Sequence, residues 1–344
     1  MPPIFVVGAP RTGTTLVKEI LNRHPRVHLF DEVHFFERVW DDRAAIGDLA
    51  SPMSQSTAIQ RVRDIVSRYG SDAEIAEILT VEEYRRRLMS EGRQYRNLFR
   101  ILLETGAQRH GADCWGDSSP QDVLYLDRIF EWYPEARIVA LIRDPRGYLS
   151  SCKNYFRRQV ATYRERSNPL TQAMLWRTYM SAATEAAAGP HASSVLMLRY
   201  EDLVSDPETW VRRLAEHVRV EFDPGMLAVD RANTSFPEAD APVRGIFDAS
   251  KDRWRTELTP TEIWIAERIC GELMRKLAYE PALLSSGQRA KPAVSELLKI
   301  AALLPSRAYR HVFHSHKPLR MGKVKRVLDH LRPSGASGAA RRTK

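Results

Sequence analysis

A chain of 344 residues can bury the core of one sizeable α/β domain without disulfides, and its three cysteines, Cys114, Cys152 and Cys270, lie too far apart for a zinc site. We therefore expect no disulfide framework, no metal and a reducing, cytoplasmic environment. The net charge of +9 is concentrated after residue 289, where 13 Lys and Arg face 2 Asp and Glu, so nucleic-acid binding by the main body has little electrostatic support.

The first predicted element is a strand over residues 4–7, four apolar residues without alternation, as in a strand buried on both faces of a parallel sheet. This run is short and leads directly into a glycine loop, residues 8–13, so we expect no signal peptide. The apolar residues beyond the loop share one helical face: Leu16, Val17, Ile20 and Leu21. A strand, a glycine loop and a helix N-terminus predict an anion site that includes the Arg11 side chain.

A second segment with candidate site residues follows the first helix. His24-Pro25 ends the helical pattern, and residues 26–30 predict a short extended segment. This segment delivers Glu32 and His34 toward the carboxyl ends of the strands, where open α/β sheets hold ligands.

Residues 36–110 are predicted to be helical and rich in charge. They form an insertion over the ligand edge of the sheet that shapes an acceptor pocket, or a plain structural cap. Several arginines in this region suggest an anionic or sugar-like partner, although a solvated helix face explains them equally well: Arg85, Arg86, Arg87, Arg93 and Arg96.

Three further strands complete the predicted sheet. Residues 113–120 indicate a short strand and turn, and residues 137–142 a buried strand that ends in charge at Arg143, with Pro145 placed to open a helix. Residues 195–198 predict another buried strand. Strands that alternate with helices in this way indicate an α/β fold with a parallel central sheet flanked by helices.

We predict three parts along the chain. Residues 1–289 form the main domain, and residues 290–332 form a basic amphipathic helical extension. Such a segment can lie on an anionic membrane surface, giving the protein peripheral membrane contact, or pack as an ordinary terminal helix. Residues 333–344, rich in Pro, Ser, Gly and Ala, are expected to be disordered.

The glycine loop departs from the P-loop of nucleotide hydrolases, because Thr14 stands where lysine follows the second glycine and the cation lies within the loop at Arg11. The sequence GAPRTGTTL after a buried strand closely resembles the 5′-phosphosulfate loop of sulfotransferases that use 3′-phosphoadenosine-5′-phosphosulfate (PAPS). The resemblance implies a P-loop NTPase-like fold. It also implies that these loop residues bind the cosubstrate: Arg11, Thr12, Gly13, Thr14 and Thr15.

A second motif extends the resemblance to residues 143–151, RDPRGYLSS. In this family an Arg at a strand end and a Ser eight residues later bind the 3′-phosphate, which implies that role for Arg143 and Ser151. The RYEDL segment that begins at residue 199 resembles the one that follows a core strand in the family and adds Tyr200 to the cosubstrate site. Two separate cations at one sheet edge suit a nucleotide with anions at both ends. Alternatively, Arg143 and Arg146 are held in ion pairs.

The proton acceptor is also suggested by resemblance. HPRVHLFDE, residues 24–32, is similar to the HPxVxxxEE arrangement of tyrosylprotein-type sulfotransferases, with Asp31 replacing the first Glu, which implies Glu32 as catalytic base. His34 is the second candidate, because other branches of the family use histidine; either residue could instead be an ordinary surface side chain. Ser118 stands where relatives often have a lysine.

The sequence therefore predicts a sulfotransferase that moves the sulfuryl group of PAPS to a hydroxyl of an unidentified carbohydrate, glycolipid, small metabolite or peptide by in-line displacement. Arg11 would stabilise the leaving phosphate, and 3′-phosphoadenosine 5′-phosphate (PAP) would be the product. The alternatives are a P-loop-type kinase or hydrolase, which would depend on magnesium, and a non-catalytic nucleotide-binding protein associated with membranes.

Overall fold

The computed structural model describes residues 1–69, 75, 79–157, 167–229, 246 and 251–282. The predicted basic extension and terminal tail lie outside these residues. Five parallel strands form the sheet in the order β2-β3-β1-β4-β5. The strands are β1 (Ile4–Gly8), β2 (Val27–Asp31), β3 (Cys114–Ser118), β4 (Arg137–Ile142) and β5 (Val195–Arg199). The predicted α/β fold with a parallel central sheet is confirmed.

Helices cover both faces of the sheet and connect its strands. They are α1 (Thr14–Asn22), α2 (Arg43–Ile46), α3 (Pro52–Tyr69), α4 (Val81–Glu91), α5 (Tyr95–Arg109), α6 (Leu126–Trp132), α7 (Pro145–Arg157), α8 (Pro169–Ala187), α9 (Tyr200–Ser205), α10 (Pro207–Val218), α11 (Trp254–Glu257) and α12 (Pro260–Lys276). A π-helical turn spans Phe36–Trp40, and 3₁₀ turns span Pro120–Tyr125, Ala192–Ser194 and Pro224–Leu227. Among the described helices, none is both long enough and apolar enough to cross a bilayer.

The first strand belongs to two separate cores, one on each face of the sheet. Phe5 and Val7 face a large cluster that includes the helices of residues 36–110 together with α8 and α12. Ile4 and Val6 face a smaller cluster built with α1 and α10. Because successive residues of a strand point to opposite faces, an apolar run without alternation is what such a doubly covered strand requires.

The last strand, β5, differs from the prediction of a fully buried strand. Of its five residues only Leu198 is buried, and the other four are partly exposed. Edge position alone is not the reason, because β2 lies at the other edge of the sheet and is buried at four of its five residues, where α1 and α5 pack against it.

The last helix of residues 36–110 packs directly on the sheet. Helix α5 contacts β2 and β3, and Gly106 lies so close to Phe30 that an added Cβ would stand 2.2 Å from the ring. Arg86 and Arg87 of the neighbouring α4 are paired with acidic side chains of the same region, at 2.5 Å from Glu83 and 2.7 Å from Glu91. Charge matching within this region favours a structural role for these two arginines.

Candidate active site

The loop between β1 and α1 folds back tightly on itself. Thr12 donates twice to the carbonyl of Ala9, from its backbone N–H at 3.2 Å and from its hydroxyl at 2.7 Å. Arg11 and Gly13 adopt left-handed backbone conformations, with φ of 74° and 107°. A Cβ at Gly13 would lie 2.8 Å from the Tyr200 ring, so this position requires glycine for both its conformation and its close approach.

The N-terminus of α1 has no capping side chain. Its N-cap residue is Gly13, and its first turn, which contains Thr14 and Thr15, holds no acidic residue. Four other helices, by contrast, begin with a side chain that accepts a backbone N–H: α4, α8, α10 and α12. The positive end of the α1 dipole thus remains available to an anion in the loop.

The arginine that follows β4 lies against this loop. Arg143 donates from Nη1 to the carbonyl of Arg11 at 3.2 Å, and its guanidinium stacks 4.4 Å from the centre of the Tyr200 ring. Trp176 fixes its backbone by donating from Nε1 to the Arg143 carbonyl at 2.9 Å. The structure therefore brings together four of the predicted cosubstrate residues, because Arg143 contacts Arg11 and the Tyr200 ring lies against both Gly13 and Arg143.

Arg11 is a cation in a mostly buried place. Its guanidinium lies 4.7 Å from the centre of the Tyr155 ring. Burial lowers the pKa of Arg11, and the charge of Arg143 acts in the same direction. Cys152, Tyr155 and Glu32 raise that pKa, so the candidate base lies in the electrostatic neighbourhood of the loop cation. Two cations that repel each other in a desolvated place would be stabilised by a shared anionic ligand.

Arg146, three residues beyond Arg143, is engaged differently. It donates to both carboxylate oxygens of Asp144 and to Glu267 at 2.8 Å, and it stacks 4.2 Å from a ring of Trp254. The ion-pair alternative considered for both arginines therefore holds for Arg146. Ser151 is buried in the middle of α7.

Three consecutive backbone N–H groups after β2 donate hydrogen bonds to residues at the end of β3. Glu32 and His34 both have positive φ, 49° and 52°, which is costly for residues other than glycine. Their segment is fixed because Glu32 N–H donates to the Ser118 carbonyl at 3.2 Å, Val33 N–H to Asp117 Oδ1 at 3.3 Å and His34 N–H to Ser119 Oγ at 2.8 Å.

This backbone conformation brings together the two residues proposed as alternative bases. Glu32 Oε2 and His34 Nε2 are 3.2 Å apart. The Glu32 side chain is 46% exposed and that of His34 only 11%, so the carboxylate is the one an acceptor can reach and the imidazole lies behind it. The sequence left Glu32 and His34 as alternative bases, whereas the structure shows their side chains as a hydrogen-bonded pair.

Asp117 is a buried acidic residue next to this segment that the sequence analysis did not single out. It is 1% exposed, and its Oδ2 atom has no hydrogen-bond partner among the described residues. Burial raises the pKa of Asp117 to about 7; the Ser119 hydroxyl, the Val33 N–H and the charge of His34 oppose this rise. The sequence feature that could have indicated Asp117 is an acidic residue within a short predicted strand, because burial of an uncompensated charge costs free energy.

Lys18 is a second buried charged residue that the sequence analysis did not single out. Its side chain is only 6% exposed and its ammonium lies 3.2 Å from Asp31 and 3.1 Å from Glu19. Asp31 is the register partner of Ser118 on the neighbouring strand. The signal was a lysine within the apolar face of the first helix.

The buried carboxyl of Asp117 predicts how the stability of the protein depends on pH. Because the folded chain retains the Asp117 proton at a pH where the unfolded chain has lost it, wild-type stability should fall as pH rises between the ordinary Asp pKa and about 7. Asp117→Asn removes this dependence. The unfolding free energy of wild type, relative to Asp117→Asn, should fall by about 1.4 kcal/mol per pH unit in that window, measured by urea unfolding. A difference that does not change with pH would contradict the burial argument.

Comparison with known proteins shows which family the chain resembles. A family model described as "Sulfotransferase family" matches residues 2–224. Nodulation protein NoeE of Sinorhizobium fredii is 26% identical over 363 aligned positions, which cover 96% of this chain and 76% of NoeE. Protein-tyrosine sulfotransferase 1 of Danio rerio is 24% identical, over 66% of this chain and 56% of its own length.

Two solved structures resemble the fold. The sulfotransferase domain of the Synechococcus PCC 7002 olefin synthase superposes with a TM-score of 0.53 at 21% identity, covering 81% of this chain and 95% of that domain. The sulfotransferase domain from the curacin biosynthetic pathway gives a TM-score of 0.53 at 18% identity, covering 82% and 99%. At these identities the likeness concerns the fold, which is the parallel α/β arrangement described above.

Proposed function

This chain belongs to the sulfotransferase family, and from that membership we propose that it transfers the sulfuryl group of PAPS to a hydroxyl of an acceptor and releases PAP. The observation that supports PAPS most directly is the contact between two strand ends. Arg143 Nη1 lies 3.2 Å from the carbonyl of Arg11, so the arginine that follows β4 contacts the loop that follows β1. A nucleotide with anionic groups at both ends fits such an arrangement.

The loop would hold the 5′ end of the nucleotide. Arg11, Thr12 and the first turn of α1, with Gly13, Thr14 and Thr15, present backbone N–H groups and a buried cation to a phosphosulfate. The absence of a capping side chain at this helix supports that role.

The end of β4 would hold the 3′ end of the nucleotide. Arg143 and Ser151 would bind the 3′-phosphate, and Tyr200 would separate the two anion sites, because its ring already lies against Gly13 and under the Arg143 guanidinium. Arg146 is excluded from this set by its ion pairs with Asp144 and Glu267.

Sulfuryl transfer requires little covalent chemistry from the protein. The acceptor oxygen forms a bond to sulfur while the bond from sulfur to the 5′-phosphate oxygen breaks, and that oxygen leaves with the electron pair. Arg11 and the α1 N–H groups stabilise the negative charge that develops on the leaving phosphate. Glu32, the exposed member of the pair with His34, takes the acceptor's proton.

The acceptor is proposed only as a hydroxyl compound. The relatives' names mention nodulation and protein tyrosine, and this chain spans 56% of the Danio rerio protein-tyrosine sulfotransferase 1, so neither name defines the acceptor here. Carbohydrates, glycolipids, small metabolites and peptides therefore all belong in the test.

The experiment is transfer of radiolabelled sulfuryl from PAPS to a panel of saccharides, lipids with sugar headgroups, phenols and tyrosine peptides. We expect label on at least one acceptor class, no transfer by Arg11→Ala, and no requirement for magnesium. Tight PAP binding without transfer to any acceptor would favour the non-catalytic alternative, and magnesium-dependent phosphate release from a nucleoside triphosphate would favour the kinase or hydrolase alternative.

A further inference from the structure

An aromatic side chain of α7 lies against the cation of the glycine loop, and the proposed function assigns it no role. The guanidinium of Arg11 is 4.7 Å from the centre of the Tyr155 ring, within the distance at which a cation is attracted to the face of an aromatic ring. Burial lowers the pKa of Arg11, and Tyr155 is among the groups that raise it. The contact therefore involves a cation that has lost part of its hydration, the situation in which an aromatic face stabilises a cation most.

The other arginine proposed to bind the nucleotide makes the same kind of contact. The guanidinium of Arg143 lies 4.4 Å from the centre of the Tyr200 ring. Tyr200 follows β5, whereas Tyr155 belongs to α7. Each of the two proposed anion sites thus pairs an arginine with a tyrosine from a different element of the fold.

Helix α7 explains why a ring reaches the loop at this point. Ser151, which is proposed to bind the 3′-phosphate, precedes Tyr155 by four residues, and residues four apart share one face of a helix. Cys152, three residues before Tyr155, is also in the electrostatic neighbourhood of Arg11. The face of α7 that carries Ser151 therefore also carries the ring beside the loop cation.

We propose that Tyr155 is a positioning residue that acts through Arg11, an inference that rests on the proposed function. Its ring holds the guanidinium in the orientation that meets the 5′ group of the nucleotide. An arginine side chain has several rotatable bonds, so fixing it before the anion binds reduces the entropy lost on binding. The same fixed cation then faces the charge that develops on the leaving phosphate.

Nucleotide binding provides the first test, because a ligand that lacks one phosphate reports on one end of the site. Calorimetry compares PAP with adenosine 3′-monophosphate, which lacks the 5′-phosphate, and with adenosine 5′-monophosphate, which lacks the 3′-phosphate. In Tyr155→Leu the preference for PAP over adenosine 3′-monophosphate should fall about 3- to 30-fold, the range expected for loss of a cation–π contact. The preference for PAP over adenosine 5′-monophosphate should not change, because Arg143 keeps its own ring.

Tyr155→Phe is the matched variant, since it keeps the ring and removes only the hydroxyl. We expect both preferences to stay at their wild-type values. Tyr155→Met is a second variant without an aromatic face and replaces Tyr155→Leu if leucine impairs folding. In the Arg11→Ala background, Tyr155→Leu should cause little further loss of PAP affinity, because no guanidinium is left to position.

A second test needs no nucleotide. Urea unfolding of wild type, Arg11→Ala, Tyr155→Leu and the double variant measures the coupling between the two side chains. We expect the unfolding midpoint of the double variant to fall by less than the sum of the two single shifts, because each single change already removes the contact.

The proposal is overturned if Tyr155→Leu keeps the wild-type preference for PAP over adenosine 3′-monophosphate, if it lowers both preferences equally, or if Tyr155→Phe loses as much as Tyr155→Leu. Additive shifts of the unfolding midpoint would also contradict it. Failure of wild type to bind PAP would count against the proposed function alone, because the unfolding measurements test the contact by themselves.

Discussion

Replacement of Glu32 by glutamine should lower kcat by about 10²- to 10⁴-fold, the range expected when a positioned proton acceptor is removed. The side chain keeps its size and can still reach His34 Nε2, which lies 3.2 Å away in wild type. What is lost is the ability to take a proton from the acceptor hydroxyl as the bond to sulfur forms. Because Glu32 is not among the residues proposed to hold the nucleotide, the dissociation constant for PAP should change little.

The measurement is the kcat of purified Glu32→Gln with the acceptor identified by radiolabel transfer. Glu19→Gln is the matched control, since Glu19 is a nearby carboxylate that pairs with Lys18 and has no role in the proposed chemistry. Wild-type turnover in Glu32→Gln would show that another group accepts the proton.

Loss of either Arg11 or Arg143 should weaken PAP binding strongly. Charge-assisted hydrogen bonds contribute about 1.5–3 kcal/mol each, so Arg143→Ala and Arg11→Ala should each raise the PAP dissociation constant roughly 10- to 150-fold. Arg143 is 6% exposed, which limits the access of water that could replace the lost contacts. Titration calorimetry with PAP measures both effects.

Arg137→Ala is the matched control for these variants. Arg137 is the first residue of β4, and Arg143 follows the last residue of the same strand. At its own end of the strand, Arg137 donates from Nη1 to the Ser193 carbonyl at 3.1 Å. Its loss should leave PAP affinity unchanged. Equal weakening in Arg137→Ala and Arg143→Ala would indicate a general loss of structure rather than loss of a phosphate contact.

The anion loop could be predicted from sequence because its determinants are local. Four apolar residues without alternation specify a strand covered on both faces, and Gly13 is required where φ is 107° and the Tyr200 ring leaves no space for a Cβ. The burial of the last strand could not be predicted in the same way. Its apolar run resembles that of β1, yet it is only partly covered, and that coverage depends on how the helices pack on each edge of the folded sheet.

The contacts around Glu32 and His34 could not be predicted from the sequence, because they join distant parts of the chain. Val33 and Asp117 are 84 residues apart in sequence, yet share a hydrogen bond. The pairing of Glu32 with His34 also depends on left-handed backbone at both residues, which nothing in their side chains favours. Likewise, the sequence could not show which of Arg143 and Arg146 is held in ion pairs. The folded structure shows that Arg146 pairs with Asp144 and Glu267.

The central claim is that the two arginines hold opposite ends of one nucleotide, with Arg143 at the 3′-phosphate and Arg11 at the 5′ group. The most direct test compares the affinities of PAP and adenosine 5′-monophosphate, which lacks the 3′-phosphate, for wild type and both variants by calorimetry. We predict that wild type and Arg11→Ala prefer PAP by similar factors, and that this preference falls toward one in Arg143→Ala. An undiminished preference for PAP in Arg143→Ala would contradict the claim.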